Sequence, residues 1–454
     1  NRLAAALRVF SLGIALLVLA QTTTIRPEAP LHPMIRFLAL TMLLWVASGC
    51  RAQESPPPLE SQRSVDVQQP LTHRLVAAPP AVAGRQPLLW VSLGAHLGAR
   101  ADAAPLTLTA ASGSLSLEDR SGRRWSAASV QISWRSVPLE QPMALARRVA
   151  GPFASFESAE RVALRWRALG VAAAVAHPAD WEVWAPAGAP APENLRVRDW
   201  SKQLVHSIEP VLQLPEGGTT LKGPLQIDAP GGLRWGQGVF QGPFRLQRDA
   251  YGSWTLVEQV PLERYLEGVV PHEIGAGSPQ AALQAQTVLA RTWALANSHR
   301  FRIDGYHLCS DTQCQVYSDP RQAGQAVRQA ITATQGRLLS WKGKPISAVY
   351  HATNGGVMAA GPEAWAMDAQ PYLKAEADGD ADWQQRHGLP LQQRSAVATL
   401  LAEREGAYGS AHPRFRWTRT LTASAIRQAL GASAAGLQGP LQLDVLERGR
   451  SGRV

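Results

Sequence analysis

The chain has 454 residues, 45% of them apolar and 18% charged, with a formal net charge of +10 carried almost entirely by Arg. That length calls for two or three modules, and that composition suits folded domains rather than disorder. A basic surface favours acidic polymers, but there is no zinc-finger spacing, no RNP-like aromatic motif and no phosphate loop, so nucleic acid is set aside as a partner.

The first fifty residues read as export machinery. Met34-Ile35-Arg36 makes a charged start, Phe37 to Val46 an apolar run, and Ala47-Ser48-Gly49-Cys50 places small residues before a Cys. This resembles the lipobox of a bacterial lipoprotein, with Ala47 where Leu is commoner. The resemblance implies cleavage and lipidation at Cys50, and hence an exported protein of the cell envelope, anchored to a membrane in the periplasm or outside the cytoplasmic membrane. An ordinary signal peptide or an uncleaved anchor fits the same residues, although each apolar run is shorter than the roughly 20 residues a spanning helix needs. Because the chain opens on Asn1, residues 1–33 are expected to be translation upstream of the true start.

Residues 51–86, rich in Pro, Gln, Ser and Ala, read as a tether. Residues 87–140 alternate apolar and polar positions (Leu89, Val91, Leu93; Leu106, Leu108; Leu115, Leu117; Val130, Ile132), which predicts a small β module. Residues 141–190 read as strand, helix, strand, strand. Ser155 or Ser158 caps a helix with Ala159, Val162, Ala163, Trp166 and Leu169 on one face, and Gly170 ends it. This order, with the phrase GPFASFESAERVALRWRALG, resembles a SPOR repeat, which implies binding to glycan strands stripped of stem peptides. A plain scaffold domain has the same pattern. Residues 195–454 form the last expected domain and open with further short strands. The whole is predicted to be α+β, multi-modular and β-rich.

Val260 to Asn297 is the most informative stretch. Ser278 is an N-cap candidate and Pro279 the first helical residue. Ala282, Ala285, Leu289, Trp293 and Ala296 recur at spacings that predict one apolar stripe. Ahead of this helix lie an apolar piece, Tyr265 to Val270, and then His272-Glu273 in a Pro- and Gly-rich turn. A carboxyl between buried elements is desolvated, which raises its pKa and leaves it a proton to donate. A Glu paired with a neighbouring Arg is the plainer alternative.

YLEGVVPHEI, AALQAQTVLARTWA, CSDTQCQVY at 309–317, TQGRLLSWKGKPISAVYHATNGG at 334–356 and PYLKAEAD at 371–378 follow one another in order. Together they resemble the SpoIID/LytB domain, a family that includes a lytic transglycosylase of peptidoglycan and an enhancer of an N-acetylmuramoyl-L-alanine amidase. The resemblance implies that Glu273 is the catalytic acid and base. It implies substrate contacts from His272, Arg291, Gln315, Tyr317, His351, Thr353, Asn354, Gly355 and Gly356. His351 to Gly356 stands in the place of the family's HSTSGG, after an expected strand from Pro345 to Tyr350. Its glycines allow backbone to approach a sugar, while His and Thr supply hydrogen-bonding groups; a strand-ending turn with a surface His is the alternative. Arg291 either orients the acid or holds the fold. Trp365, Tyr372 and Trp383 line a glycan groove or lie in the core.

The implied partners are peptidoglycan glycan strands and a cell-wall amidase, and no cofactor is required. In the family a His before the second Cys joins the two Cys as a zinc ligand, and here that position is Gln313. A tetrahedral site needs three or four ligands. His307 offers a substitute for zinc at Cys309 and Cys314. In an oxidising compartment a disulfide between the two Cys is simpler, and free thiols also fit. Residues 445–454 look like a strand in mid-domain, and a GHGVGMSQ-type motif of the family does not occur. The domain is therefore expected to be incomplete at its C-terminus. One acid suffices for the implied chemistry, although Glu267 is a second carboxylate nearby.

Overall fold

The computed structural model describes residues 70–430, 436 and 439–454. Cys50, the export signal and residues 51–69 of the expected tether lie outside the described residues. The alternation of residues 88–135 folds as read: β1 (Leu88–Leu97), β2 (Leu106–Ala110), β3 (Leu115–Glu118), β4 (Arg124–Ala127) and the long β5 (Ser129–Phe153). Leu89, Val91, Leu93, Leu106, Leu108, Leu115, Leu117, Val130 and Ile132 are all buried. Period-two patterning sets the inward face, because successive strand side chains point to opposite sides.

The chain continues through α1 (Phe156–Ala168), β6 (Ala174–Ala176), β7 (Trp181–Pro186), β8 (Arg198–Leu214) and β9 (Gly217–Thr220). Then follow β10 (Leu225–Asp228), β11 (Leu233–Trp235), β12 (Gly238–Phe240), β13 (Phe244–Arg248), β14 (Trp254–Pro261) and β15 (Leu308–Cys309). One sheet runs β15-β1-β14-β13-β10-β3-β4; the other runs β12-β11-β2-β5-β7-β6, with β8 paired to β5 and β9. The divisions read from sequence at 140 and 190 fall inside these shared sheets. β5 crosses residue 140 without a break, and β1 pairs antiparallel with β14.

Ser155 caps α1, its hydroxyl accepting from Ser158 N–H at 3.2 Å. Ala159, Val162, Ala163 and Trp166 are buried as expected, but Leu169 is the C-cap residue and 53% exposed. The helix ends before Leu169 can turn inward. Residues 70–86, expected to be free tether, lie against the body. Leu71 exchanges backbone hydrogen bonds with Ala144 and Ala146, and the Pro80 carbonyl contacts a ring nitrogen of His307.

Three helices cover one end of the shared core: α2 (Leu262–Val270), α3 (Gln280–Ala296) and α4 (Gln325–Ala333). Two expectations for α3 are corrected. Pro279 is the N-cap, and the Ser278 hydroxyl turns back to donate to Ile274 O at 2.9 Å. Of the predicted stripe Trp293 is buried, but Leu283, Thr287, Ala290 and Ala294 are buried where Ala282, Ala285, Leu289 and Ala296 were expected. Hydropathy misses this face because Thr287 satisfies its own hydroxyl on Leu283 O at 2.7 Å and so can be buried.

Beyond residue 356 the chain builds a second, smaller core of Val357, Trp383, Leu391, Leu400, Ala407 and Phe415. Trp383 is fully buried, so it belongs to this core and not to a groove. The expected strand from Pro345 to Tyr350 does not form. Only Ser340–Trp341 and Lys344–Pro345 pair, as a short hairpin, and residues 346–350 have no ladder partner. Residues 445–454 likewise form a turn rather than a strand. Among the described residues no helix is long and apolar enough to cross a membrane.

Candidate active site

β14 feeds directly into α2, where Leu262 N–H donates to Pro87 O at 2.9 Å. Leu262, Tyr265, Leu266, Val269 and Val270 are all buried, the i, i+3, i+4, i+7, i+8 face of an anchored helix. Each such side chain contributes roughly 1.5–3 kcal/mol on burial. Gly268 lets this helix approach residues 317–318, since a Cβ there would meet Ser318 O and the Tyr317 ring at 2.5 Å. Pro271 lacks the N–H needed to continue the α-helical ladder, and the chain widens into a π-helical turn, Pro271–Gly275. Gly275, at φ +87°, ends it. Glu273 sits in this turn.

Glu273 Oε1 accepts from Val316 N–H at 3.0 Å, and its carboxyl also hydrogen-bonds the Tyr350 hydroxyl. Burial pushes its pKa up, and those two hydrogen bonds pull the other way. The direction of the Tyr350 bond follows from its neighbours. Gln315 Nε2 lies 3.3 Å from Ala290 O, an obligate acceptor, which fixes that end of the amide as the donor. Nε2 therefore also donates to Tyr350 Oη at 2.9 Å, while Gln315 Oε1 accepts from Tyr265 at 3.1 Å. Tyr350, already accepting, turns its proton to Glu273. Burial and the Glu273 charge both push the Tyr350 phenol up, so it remains a donor.

The remaining predicted residues divide between this centre, its framework and the loop beside it. Gln315 is in the centre. Tyr317 stacks on Tyr265 with centroids 4.9 Å apart and donates to the buried Glu258 at 2.8 Å. Arg291, 1% exposed, makes a two-pronged bond to Glu263 at 2.9 and 2.7 Å and donates to Ile331 and Arg337 carbonyls, so it ties α2 and α3 to the end of α4. His272 points to solvent. Glu267 is paired with Arg264 and Arg328. The His351–Gly356 loop continues directly from Tyr350. His351 keeps part of its ring in solvent, and desolvation of the rest together with the Arg453 charge holds its pKa below the ordinary value. Tyr350 and the Val316 amide were not singled out from sequence. Their signal was position: each lies inside a motif already noted, Tyr350 next to His351 and Val316 within CSDTQCQVY.

The residues around Cys309 do not fit a zinc site. Cys309 and Cys314 form a disulfide. Gln313 accepts from Trp181 Nε1 at 3.2 Å. His307 uses both ring nitrogens, accepting from Trp90 N–H and donating to Pro80 O, each at 2.8 Å. Among the described residues no other group of three His, Cys, Asp or Glu could hold a metal.

Residues 250–341, which include Glu273 and Gln315, match the family described as stage II sporulation protein, SpoIID. Residues 359–454 match a domain of unknown function, DUF8618. The chain is similar to stage II sporulation protein D of Bacillus subtilis (strain 168), 31% identical over 180 residues, covering 33% of this chain and 52% of that protein. Stage II sporulation protein D of Bacillus amyloliquefaciens is 36% identical over 135 residues, 26% of this chain and 39% of that protein. An amidase enhancer of Bacillus subtilis (strain 168) is 36% identical over 113 residues, 25% of this chain and 15% of that protein. The chain thus spans about half or less of the length of these curated relatives.

Proposed function

We propose that this protein remodels the bacterial cell wall as a lytic transglycosylase. It cleaves the bond between N-acetylmuramic acid and N-acetylglucosamine in peptide-poor glycan strands, with Glu273 as general acid and then base. The observation that carries this reading is the Glu273 carboxyl itself, half-buried, raised in pKa and oriented by the Val316 amide and Tyr350. Protonated Glu273 donates to the leaving oxygen as an oxocarbenium-like centre forms. The carboxylate then takes the proton of the sugar's own C6 hydroxyl, whose oxygen closes a 1,6-anhydro ring. No second carboxylate is required, which agrees with the pairing of Glu267 to two Arg. The proposal extends to placement in the cell envelope through lipid at Cys50.

The test is digestion of stripped glycan strands by the full chain, with 1,6-anhydro ends read by mass spectrometry. Glu273→Gln keeps size and hydrogen bonding but has no acidic proton, so product formation is expected to fall by about 10²–10⁴-fold or more while folding is retained. Anhydro product undiminished in the variant removes Glu273 from the reaction. The similarity to an amidase enhancer favours a second reading, glycan binding that recruits an amidase. On that reading neither protein makes anhydro product, and Glu273→Gln stimulates the amidase as well as wild type does.

A further inference from the structure

The His351–Gly356 loop is held in an unusual way. Four successive carbonyls, from Asn354 to Val357, each accept a hydrogen bond, and every donor comes from the region that matches a domain of unknown function. Arg453 Nη2 donates to Asn354 O at 3.2 Å and to Val357 O at 3.0 Å. Arg416 Nη1 donates to Gly355 O at 2.8 Å. Gly356 O receives Trp383 Nε1 at 2.8 Å and Asp378 N–H at 2.9 Å. Asp378 also accepts from Asn354 Nδ2 at 2.6 Å.

Arg416 shows how the clamp is anchored. Its other nitrogens donate to the carbonyls of Leu400, Leu401 and Glu403 at the C-terminal end of the helix Arg394–Ala402, where Leu400 O also accepts from Glu403 N–H. The guanidinium thus couples a helix terminus to the loop. The two glycines answer to the same construction. Gly355 and Gly356 have φ of +71° and +92°, and a Cβ on Gly356 would lie 2.4 Å from the Trp383 ring. A Cβ on Gly355 would lie 3.2 Å from Arg416 Nη1. The space these glycines leave is filled by the clamp.

The two glycine amides are spent as well: Gly355 N–H donates to Thr353 Oγ1 at 3.2 Å and Gly356 N–H to Asn354 Oδ1 at 2.8 Å. At the two glycines a ligand therefore finds no free amide, and the side chains of His351, exposed, and Thr353, with a free lone pair, are what the loop offers there. We propose that the region of unknown function is a clamp for this loop, and that Arg453, Arg416 and Trp383 are positioning residues that present His351 and Thr353 to the glycan. This rests on the glycan-cleaving reading above and assigns it a region that the SpoIID match does not cover.

The test uses the full chain, Arg453→Gln and Arg453→Lys. Affinity for stripped glycan strands and KM for anhydro product are measured beside amide hydrogen exchange at Gly355 and Gly356. Loss of a charged donor to two carbonyls is expected to weaken glycan binding about tenfold in Arg453→Gln, with KM rising and kcat little changed. Exchange at both glycines is expected to quicken, and Arg453→Lys to recover part of each effect. Should Arg453→Gln fail to fold, Arg453→Lys and Trp383→Phe, which removes the indole donor and leaves a smaller ring in the core, are read by the same measurements. Wild-type affinity, KM and exchange in a folded variant would overturn the clamp. If wild type binds no glycan, the functional reading fails instead, and hydrogen exchange alone decides whether the clamp exists.

Discussion

The two halves of the candidate site are held by different physics. Glu273 rides on α2, whose apolar face is sunk in a core shared by both sheets and by α3 and α4. The His351–Gly356 loop instead leans on a six-residue core and on hydrogen bonds from two Arg and one Trp. A buried aliphatic side chain contributes roughly 1.5–3 kcal/mol, and many share the load around Glu273. A net hydrogen bond contributes about 1 kcal/mol, and only a handful serve the loop. The acid is therefore the stiff half of the site and the loop the yielding half.

Removing the largest side chain of the smaller core is the strongest way to break that contrast. Trp383→Ala deletes a fully buried ring and the donor to Gly356 O, an expected loss of about 3–5 kcal/mol. The small core has few other residues to absorb it. Hydrogen exchange should show residues 357–454 losing protection while 250–341 keep theirs. Loss of protection across both regions together would mean that they form one cooperative unit.

The same contrast explains what was legible from sequence. The strands of residues 88–135 were readable because their inward positions, from Leu89 to Ile132, are apolar; the inward face of the rest of β5 was not, because its buried positions include Arg147. The turn around Glu273 left that carboxyl open between a proton donor and a Glu paired with an Arg, and only the resemblance to a known domain singled it out. The α3 face was not legible, because Thr287 and Arg291 are buried with their polar atoms satisfied by partners such as Leu283 O and Glu263. The clamp was not legible either, because its donors, Arg416 and Arg453, look like any surface Arg until the fold brings them to the loop. The Tyr265–Gln315–Tyr350 chain unites three motifs that hydropathy treats separately. Sequence left Cys309 and Cys314 open between disulfide, zinc and thiols, since spacing alone cannot say where Gln313 and His307 point.

A smaller effect sharpens the comparison on the stiff side. The disulfide closes a short loop, and Cys314 immediately precedes Gln315 and Val316, which hold Glu273. Such a loop constrains little chain entropy, so reduction should lower stability by about 2 kcal/mol at most. Denaturant unfolding with and without a reductant measures it. A loss as large as that of Trp383→Ala would mean that the segment around Glu273 is not braced by the main core.

The smallest expected effect tests whether the stiff half also tunes its acid. Tyr350→Phe removes the hydroxyl that donates to Glu273 and leaves the ring to pack. Burial holds Glu273 above the ordinary carboxyl range, so the stability its protonated form contributes is complete below about pH 4.3 and is lost as pH rises through the folded pKa. The Tyr350 hydrogen bond favours the charged form and works against that rise. Without it Glu273 keeps its proton to higher pH. The alkaline limb of anhydro-product formation should move upward, and the loss of stability on raising pH should extend to higher pH and become larger, its start unchanged. A single hydrogen bond of about 1 kcal/mol also corresponds to a fall of roughly fivefold in kcat/KM, since the carboxyl is less well oriented. Gln315→Glu would not serve, because it places a second charge in the relay. A pH profile that shifts downward, or does not shift, would show that Tyr350 does not donate to Glu273 in solution.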